Sequence, residues 1–282
     1  MPFRGPTDLA TDWASNHDGS LEALRRVQGN LTVDLIMVRR DAFDTCSLDE
    51  TAAQIKRRNA KQFSYFPVAD AEEQILGLYN AERWFTVVPP DTRVADDFEG
   101  LSEDMLIGAD ASIVDFVVQA DSHPTNLVVS GRQIAGLVSL SDIQQLPARA
   151  AIFALITSLE MAMSLAISGR YPNCGDWMAL LSEERRIGLL EEIEKAQQRD
   201  IFLSEIAFTQ IHDKACIVGK SGLLDRSRTS VEKSFKKIRA LRDNVAHANN
   251  YAATPAEARS VCGVVRDVYK MKSELLKVIE QT

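Results

Sequence analysis

Arg242 and His247 are the two side chains of this sequence whose types and spacing best suit chemistry. They lie five positions apart in the segment ALRDNVAHAN, residues 240–249. Histidine can transfer a proton near neutral pH, and arginine carries a permanent charge that stabilises charge developing on a phosphate. Five positions along a helix separate two residues by about 140° and by a rise of roughly 7.5 Å. The pair therefore predicts phosphodiester cleavage in a groove at a helix end, or at a seam where two copies meet.

The segment that precedes this pair is strongly basic. Residues 226–242 hold seven Lys or Arg side chains and one acidic side chain, Glu232, a balance of +6. Such a segment predicts contact with the phosphates of a nucleic acid, although a solvated helix face has the same pattern. The candidate RNA-binding residues are Lys233, Lys236, Lys237 and Arg239.

A second pattern occupies residues 136–142, which read GLVSLSD. The carboxylate of Asp142 can accept two hydrogen bonds from a ribose diol, while the hydroxyl of Ser139 and nearby N–H groups of a helix start can bind a phosphate. The pattern predicts a nucleotide site, to which Ile107 and Asn126 on neighbouring strands are expected to contribute. The alternative is a structural pair in which Asp142 supplies a negative charge at a helix start.

The equivalent segment earlier in the chain, residues 77–83, departs from this pattern. It reads GLYNAER, so Asn80 replaces the hydroxyl residue and Arg83 replaces the carboxylate. We therefore expect the first cleft to lack the diol contact, with Arg83 left to contact a phosphate.

The first half of the chain is predicted to contain an internal duplication. Each copy has the order β-α-β-β-α, and Pro89-Pro90 marks the joint between the copies. The predicted strands are 32–37, 66–70, 75–79, 106–107, 126–130 and 133–138. The predicted helices of this half are 48–58, 111–120 and two that begin near residues 81 and 139.

The second half shows no strand pattern after Pro147. Thr254 and Pro255 suit the capping position and the first position of a final long helix. The predicted helices are 148–168, 182–196, 200–218, 230–249 and 255–280, which together predict a bundle. The chain is thus predicted to be α+β, with a leader at 1–30, a tandem pair at 31–146 (units 31–88 and 91–146) and a helical domain at 148–282.

The repeated unit and its terminal Gly-apolar-apolar-Ser-x-x-Asp pattern resemble the tandem cystathionine-β-synthase (CBS) domain over roughly residues 31–146. The resemblance implies a pseudo-symmetric module whose clefts bind adenosine nucleotides of the AMP, ADP or ATP type. In that family such modules regulate an attached domain.

The helical half and its Arg242–His247 pair resemble the HEPN superfamily, whose motif is Arg-x4–6-His. The resemblance implies a metal-independent ribonuclease that dimerises, so that two motifs form one site, and that uses a ribose 2′-hydroxyl as the nucleophile. Arg242 would then stabilise the phosphate and His247 would handle the proton. Asp243 and Asn244 would orient them, and Glu160 on the first helix would be the acidic residue that the family often has there.

Composition narrows the class of protein further. Four cysteines form no CxxC pair and only four histidines are present, so we expect reduced thiols and no metal site. No run of 18 apolar residues and no apolar N-terminal segment occur, so we expect no membrane span and a cytoplasmic location. The net charge of −8 is uneven: residues 1–147 hold 12 Lys+Arg against 23 Asp+Glu, and residues 148–282 hold 20 against 17.

Two hypotheses of different classes follow. The first is an adenine-nucleotide-regulated endoribonuclease that acts as a homodimer, needs no cofactor for catalysis and serves a stress or phage-defence response. The second is a non-catalytic nucleotide sensor whose bundle serves dimerisation or protein docking. The basic segment favours the first, and the net acidity favours the second. A nucleotidyltransferase partner or an antitoxin-neutralised toxin remains a variant of the first.

Overall fold

The computed structural model describes residues 17–82, 88–199, 201, 203–247 and 249–281. Its eight strands are β1 (Val38–Arg39), β2 (Cys46–Ser47), β3 (Tyr65–Ala69), β4 (Ile75–Asn80), β5 (Glu99–Gly100), β6 (Leu106–Gly108), β7 (Thr125–Ser130) and β8 (Gln133–Ser139). Its α-helices are α1 (His17–Asn30), α2 (Ala52–Arg58), α3 (Val94–Asp97), α4 (Ile113–Gln119), α5 (Leu146–Arg170), α6 (Cys174–Met178), α7 (Glu183–Gln197), α8 (Ile211–Ser221), α9 (Arg228–Ala246) and α10 (Pro255–Glu280). Strands in the first half and helices in the second confirm the predicted α+β class.

The strands form two four-stranded mixed sheets, in the orders β2-β3-β4-β5 and β1-β8-β7-β6. In each sheet one pair of strands is parallel, β2 with β3 and β6 with β7, and a helix connects the two members of the pair. The remaining pairs are antiparallel. The two sheets therefore repeat one arrangement, as the predicted duplication requires.

Each sheet also contains an edge strand from outside its own unit. The strand just before the first unit joins the sheet of the second unit, and the strand just before the second unit joins the sheet of the first. β1 pairs with β8, and β5 pairs with β4. A Cβ placed on Gly77 of β4 would lie 2.0 Å from the carbonyl oxygen of Glu99, and one on Gly136 of β8 would lie 2.7 Å from that of Val38. The glycine of each motif is therefore required by the close approach of the exchanged strand.

The predicted strand at residues 32–37 is wrong. Val33–Leu35 form a 3-10 turn, and the buried residues Val33 and Ile36 are three positions apart, which is the spacing of a helical turn. The N–H of Val33 donates to the carbonyl of Ala111 at 2.9 Å, so the turn is fixed against the second unit. The first strand of the first unit is β2 instead.

Several predicted helix bounds also shift. α2 begins at Ala52 instead of residue 48 because Thr51 and Gln54 form a capping box there. The helix predicted near residue 81 lies largely outside the described residues, and the one near residue 139 is a 3-10 segment, Leu140–Gln144. α8 begins only at Ile211, and Gly222, with a φ of 70°, ends it in place of Gly219.

The predicted leader contains helix α1, which packs against α5 and buries Leu21. α5 itself is the one helix of the described chain that is long and apolar enough to cross a membrane. Here it also contacts α4, α8, α9 and α10, and 61% of its most apolar stretch is buried. Its composition is thus the one that a central core helix requires.

The apolar core is divided within the α/β half. The second unit shares one continuous core with the helical half, from Val33 through Phe116 and Leu155 to Leu275. The first unit has a separate small core, which includes Phe66 and Tyr79. The second sheet and the helices therefore pack as one body.

An ion pair adds to this shared core. Arg266 of α10 donates to both carboxylate oxygens of Asp121, at 2.5 Å each, and to the carbonyl oxygen of Val118 at 2.8 Å. The hydrogen bonds from Arg266 hold the pKa of Asp121 below its usual value. The pair therefore ties the end of α4 to the final helix.

We expect the Arg266–Asp121 ion pair to make the free energy of unfolding depend on pH in the acid range. A carboxyl group whose pKa is lowered by folding stabilises the folded state above its unfolded pKa of about 3.9, and that contribution is lost as the pH falls through the folded pKa. Asp121→Asn should lower the free energy of unfolding at pH 7 by about 1–3 kcal/mol, and its difference from wild type should shrink as the pH falls below about 4. Urea unfolding between pH 7 and pH 3 measures this, and an equal difference at every pH would contradict it.

Candidate functional sites

Asp142 is held by hydrogen bonds at the start of the 3-10 segment that follows β8. Its Oδ2 accepts from the N–H of Ser139 at 2.7 Å and from the Ser139 hydroxyl at 3.0 Å. Its Oδ1 accepts from Nε2 of Gln145 at 2.9 Å. Burial raises the pKa of Asp142, and these hydrogen bonds oppose that shift. The structure thus shows the capping arrangement, and a ribose diol would have to displace Ser139 or Gln145 to bind the carboxylate.

Asn126 lies on β7, the neighbour of β8, and Ile107 lies on β6, one strand further along the sheet. Asn126 is completely buried on β7, its Nδ2 donates to the carbonyl oxygen of Asp104 at 3.2 Å, and its Oδ1 has no hydrogen-bond partner among the described residues. Ile107 is buried in the shared core. An unsatisfied buried amide oxygen costs free energy, and because Asn126 is completely buried, a ligand donor could reach this oxygen only if the strand end opened.

The corresponding position of the first unit is also a local cap. Oδ1 of Asn80 accepts from the N–H of Glu82 at 3.1 Å, and its Nδ2 donates to the hydroxyl of Tyr65 at 3.3 Å. Arg83, the predicted phosphate contact of this cleft, lies outside the described residues.

The Arg242–His247 pair lies at the C-terminal end of α9. His247 is the capping residue just after the helix, its N–H donates to the carbonyl oxygen of Asp243 at 3.0 Å, and its side chain is exposed. The side chain of Arg242 is 40% exposed and lies 3.8 Å from a carboxylate oxygen of the exposed Asp243. Arg242, Asp243 and His247 thus reach solvent at one helix end, where a substrate can approach them.

Arg149 of α5 fixes this helix end, and sequence reasoning missed it. Its guanidinium donates to the carbonyl oxygens of Asn244 at 3.1 Å and Asn249 at 3.0 Å. It also lies 5.0 Å from the centre of the Tyr251 ring, in a cation–π contact. Carbonyls at a helix C-terminus lack partners within the helix, so a cation there is favourable.

Tyr251 connects the same helix end to the segment that carries Asp142. Its hydroxyl donates to the carbonyl oxygen of Ile143, and burial raises the pKa of Tyr251 to about 12. An unbroken series of neighbours therefore links the two predicted sites: Asp142, Ile143, Tyr251, Arg149 and Asn244.

The sequence gives only a weak signal for the role of Arg149, because an arginine in the first turn of an apolar helix has no partner within its own segment.

Glu160 is not brought to the Arg242–His247 pair. It lies eleven residues beyond Arg149 on α5, a rise of roughly 16 Å, and its Oε1 accepts from Nζ of Lys214 at 3.2 Å. Lys214 is buried and also donates to the carbonyl oxygen of Thr209 at 2.7 Å. The structure thus gives Glu160 a structural partner on α8.

The four predicted RNA-binding residues are exposed on α9. Lys236 and Arg239 line a cavity between α8 and α9, whereas Lys233 and Lys237 do not. Part of the basic segment therefore borders this cavity, which its charge balance alone did not show. Among the described residues, no three His, Cys, Asp or Glu side chains are grouped to hold a metal ion.

Comparisons with known proteins give structural likeness only. No family model matches the chain, and no curated protein matches it. A hemolysin-like protein containing a CBS domain, from Oenococcus oeni, is 17% identical, with 40% of this chain and 86% of that chain covered and a TM-score of 0.34. CBS domains of a transcriptional regulator from Streptococcus pneumoniae are 16% identical, with 40% and 95% covered and a TM-score of 0.34.

A third similar structure is the CBS domain of the bacterial CNNM/CorC family Mg2+ transporter in complex with ATP. It is 17% identical, with 45% of this chain and 93% of that chain covered, and its TM-score is 0.35. Likenesses at this level do not bear on ligand or activity. The α+β class rests on the strand orders and registers given above.

Proposed function

We propose that this protein is a cytoplasmic, adenine-nucleotide-regulated endoribonuclease that acts as a homodimer without a metal. The observation that carries the proposal is the series of contacts from Asp142 through Tyr251 and Arg149 to the helix end that carries His247. Such a series gives a ligand bound at Asp142 a route to the helix end, and the ligand would shift activity if it bound two states of the protein with different affinities.

The chemistry proposed for the helix end needs the side chains of this chain only. His247 takes the proton of the ribose 2′-hydroxyl as its oxygen attacks phosphorus, and Arg242 stabilises the charge on the phosphate oxygens. The 5′-oxygen leaves with a proton, and the products are a 2′,3′-cyclic phosphate and a 5′-hydroxyl end. Asp243 and Asn244 position the pair, and the motif of a second copy supplies the remaining acid or base.

The proposed regulation acts at the Asp142 end of this series of contacts. A nucleotide that uses Asn126 and displaces Ser139 or Gln145 from Asp142 would move the 3-10 segment Leu140–Gln144. Because the hydroxyl of Tyr251 binds the carbonyl of Ile143 within that segment, the movement would reach Arg149 and the carbonyls that it holds.

A second candidate function is favoured by a different observation. Two large apolar side chains of α5, Leu146 and Phe153, are 75% and 41% exposed, on the helix that carries Arg149. Exposed apolar side chains suit protein contact. The hydrogen bonds from Arg149 to the end of α9 would then serve only to hold that helix end in place. In this reading the chain is a non-catalytic nucleotide sensor whose bundle docks a protein or a second copy.

The two candidates differ in the effect of His247→Ala on cleavage of a labelled single-stranded RNA panel with EDTA present. We expect a loss of about a hundredfold or more, the usual contribution of a general acid or base, and a 2′,3′-cyclic phosphate on the wild-type product. His123→Ala is the control, since His123 lies beside Asp104 in the other half of the chain. Equal cleavage by wild type and His247→Ala would refute the catalytic role. A nucleotide-dependent shift in melting temperature without any cleavage would favour the sensor.

A further inference from the structure

A cavity of about 360 Å³ opens between α8 and α9, apart from both sites described above. Its floor is apolar and consists of the buried side chains Ile211, Ala215 and Phe235. Two exposed cations, Lys236 and Arg239, lie one helical turn apart along its wall. Its volume is within the range of sites for small molecules, which combine an apolar body with a few polar groups.

The charge at this cavity is positive, although acidic side chains are near. Glu232 also lines the cavity, but it accepts from Nε of Arg228 at 2.7 Å. Among the described residues, Lys236 and Arg239 have no carboxylate within ion-pair distance. Two positive charges therefore remain available to a ligand.

The helix on the other side of the cavity adds to this field. Ile211 and His212 are the first two residues of the eleven-residue helix α8, so the positive end of its dipole lies at the cavity. The one acidic residue of its first turn, Asp213, caps this terminus by accepting from the N–H of Gln210 at 2.9 Å, and Arg185, at 2.9 Å, offsets its charge. Two cations and a helix N-terminus thus converge above an apolar floor.

We propose that this cavity binds a small phosphomonoester. Lys236 and Arg239 hold the phosphate with the N-terminal end of α8, and the organic body lies over Ala215 and Phe235. A permanently charged arginine with a neighbouring lysine is the donor set that suits a dianionic phosphate. The site is independent of the proposed nucleotide site at Asp142 and of the proposed cleavage site at His247.

The thiol of Cys216 can report whether the cavity is occupied, because Cys216 lines the cavity and is partly exposed. Cys174 has similar exposure and does not line the cavity, whereas Cys46 and Cys262 are buried. Alkylation by iodoacetamide, followed by mass mapping of the peptides, therefore measures occupancy at Cys216 with Cys174 as the internal reference. Ribose 5-phosphate and inorganic phosphate are the probes, and ribose is the uncharged control.

Ribose 5-phosphate should slow alkylation of Cys216 in proportion to occupancy and leave Cys174 unchanged. The double variant Lys236→Gln/Arg239→Gln should weaken binding about tenfold or more, whereas Lys233→Gln/Lys237→Gln, with the same charge change outside the cavity, should bind as wild type does. Asp142→Ala should also bind as wild type does, which separates this site from the proposed nucleotide site. Equal weakening in the two double variants, loss of binding in Asp142→Ala, or protection of Cys216 by single-stranded RNA alone would overturn the proposal.

Discussion

Glu160→Ala is expected to lower the free energy of unfolding by about 3 kcal/mol, since it leaves a buried ammonium without its carboxylate. The side chain of Lys214 is only 5% exposed, and that of Glu160 is 24% exposed. After the substitution, Nζ of Lys214 keeps one acceptor, the carbonyl oxygen of Thr209. Urea unfolding at neutral pH measures the loss.

Two further variants show whether the loss of stability comes from the unpaired buried ammonium of Lys214. Glu191→Ala removes a carboxylate that pairs with Lys195 where both side chains are more than 60% exposed, so it should change stability by less than about 1 kcal/mol. The double variant Glu160→Leu/Lys214→Met should recover most of the loss, because it removes both charges together. A Glu160→Ala protein with wild-type stability but no RNA cleavage would instead support the catalytic role first predicted for Glu160.

Gly77→Ala should destabilise the protein to a comparable extent. Its Cβ would lie 2.0 Å from the carbonyl oxygen of Glu99, and the nearby atoms belong to the backbone of β5, which no side-chain rotation can relieve. Strain of this kind costs about 1–3 kcal/mol, and here we expect the upper end of that range together with loosening of β5. The midpoint of thermal unfolding and the amide exchange rates of residues 99–101 measure the two effects.

Gly100 is the matched control for this substitution, because it is the register partner of Gly77 across β4 and β5. A Cβ at Gly100 would meet no atom within 4 Å. Gly100→Ala should therefore leave stability within about 1 kcal/mol of wild type. If Gly77→Ala were equally harmless, the close pairing of β4 with β5 would be wrong.

The sequence predicted the long strands because their information is local. β3 and β7 are almost continuously buried apolar runs, each joined by a short turn to the strand that follows it, and Gly131 takes the positive φ that the second turn needs. The two-residue strands β1 and β5 were not predictable, since two residues form no pattern and their partners belong to the other unit. The apolar character of the segment around Val33 and Ile36 correctly indicates burial. Its spacing is that of a helical turn, however, and the prediction of a strand there is wrong.

The candidate sites were predictable in part for the same reason. Ser139 and Asp142 meet because they are three residues apart. Glu160 and Lys214 are 54 residues apart in sequence, and Arg149 reaches Asn244 across 95. Nothing in the local pattern of either segment specifies such contacts, which follow from the packing of α5 against α8 and α9.

The division of the apolar core determines how the protein is expected to open. Because the second unit shares its core with the helices while the first unit has its own, the cooperative boundary lies inside the α/β half rather than at residue 147. Local unfolding follows such units, so the first unit is the segment free to melt while the remainder stays native. Separating the chain at residue 147 would expose the apolar interior that the second unit shares with the helices, and neither fragment would keep the surface of the intact molecule.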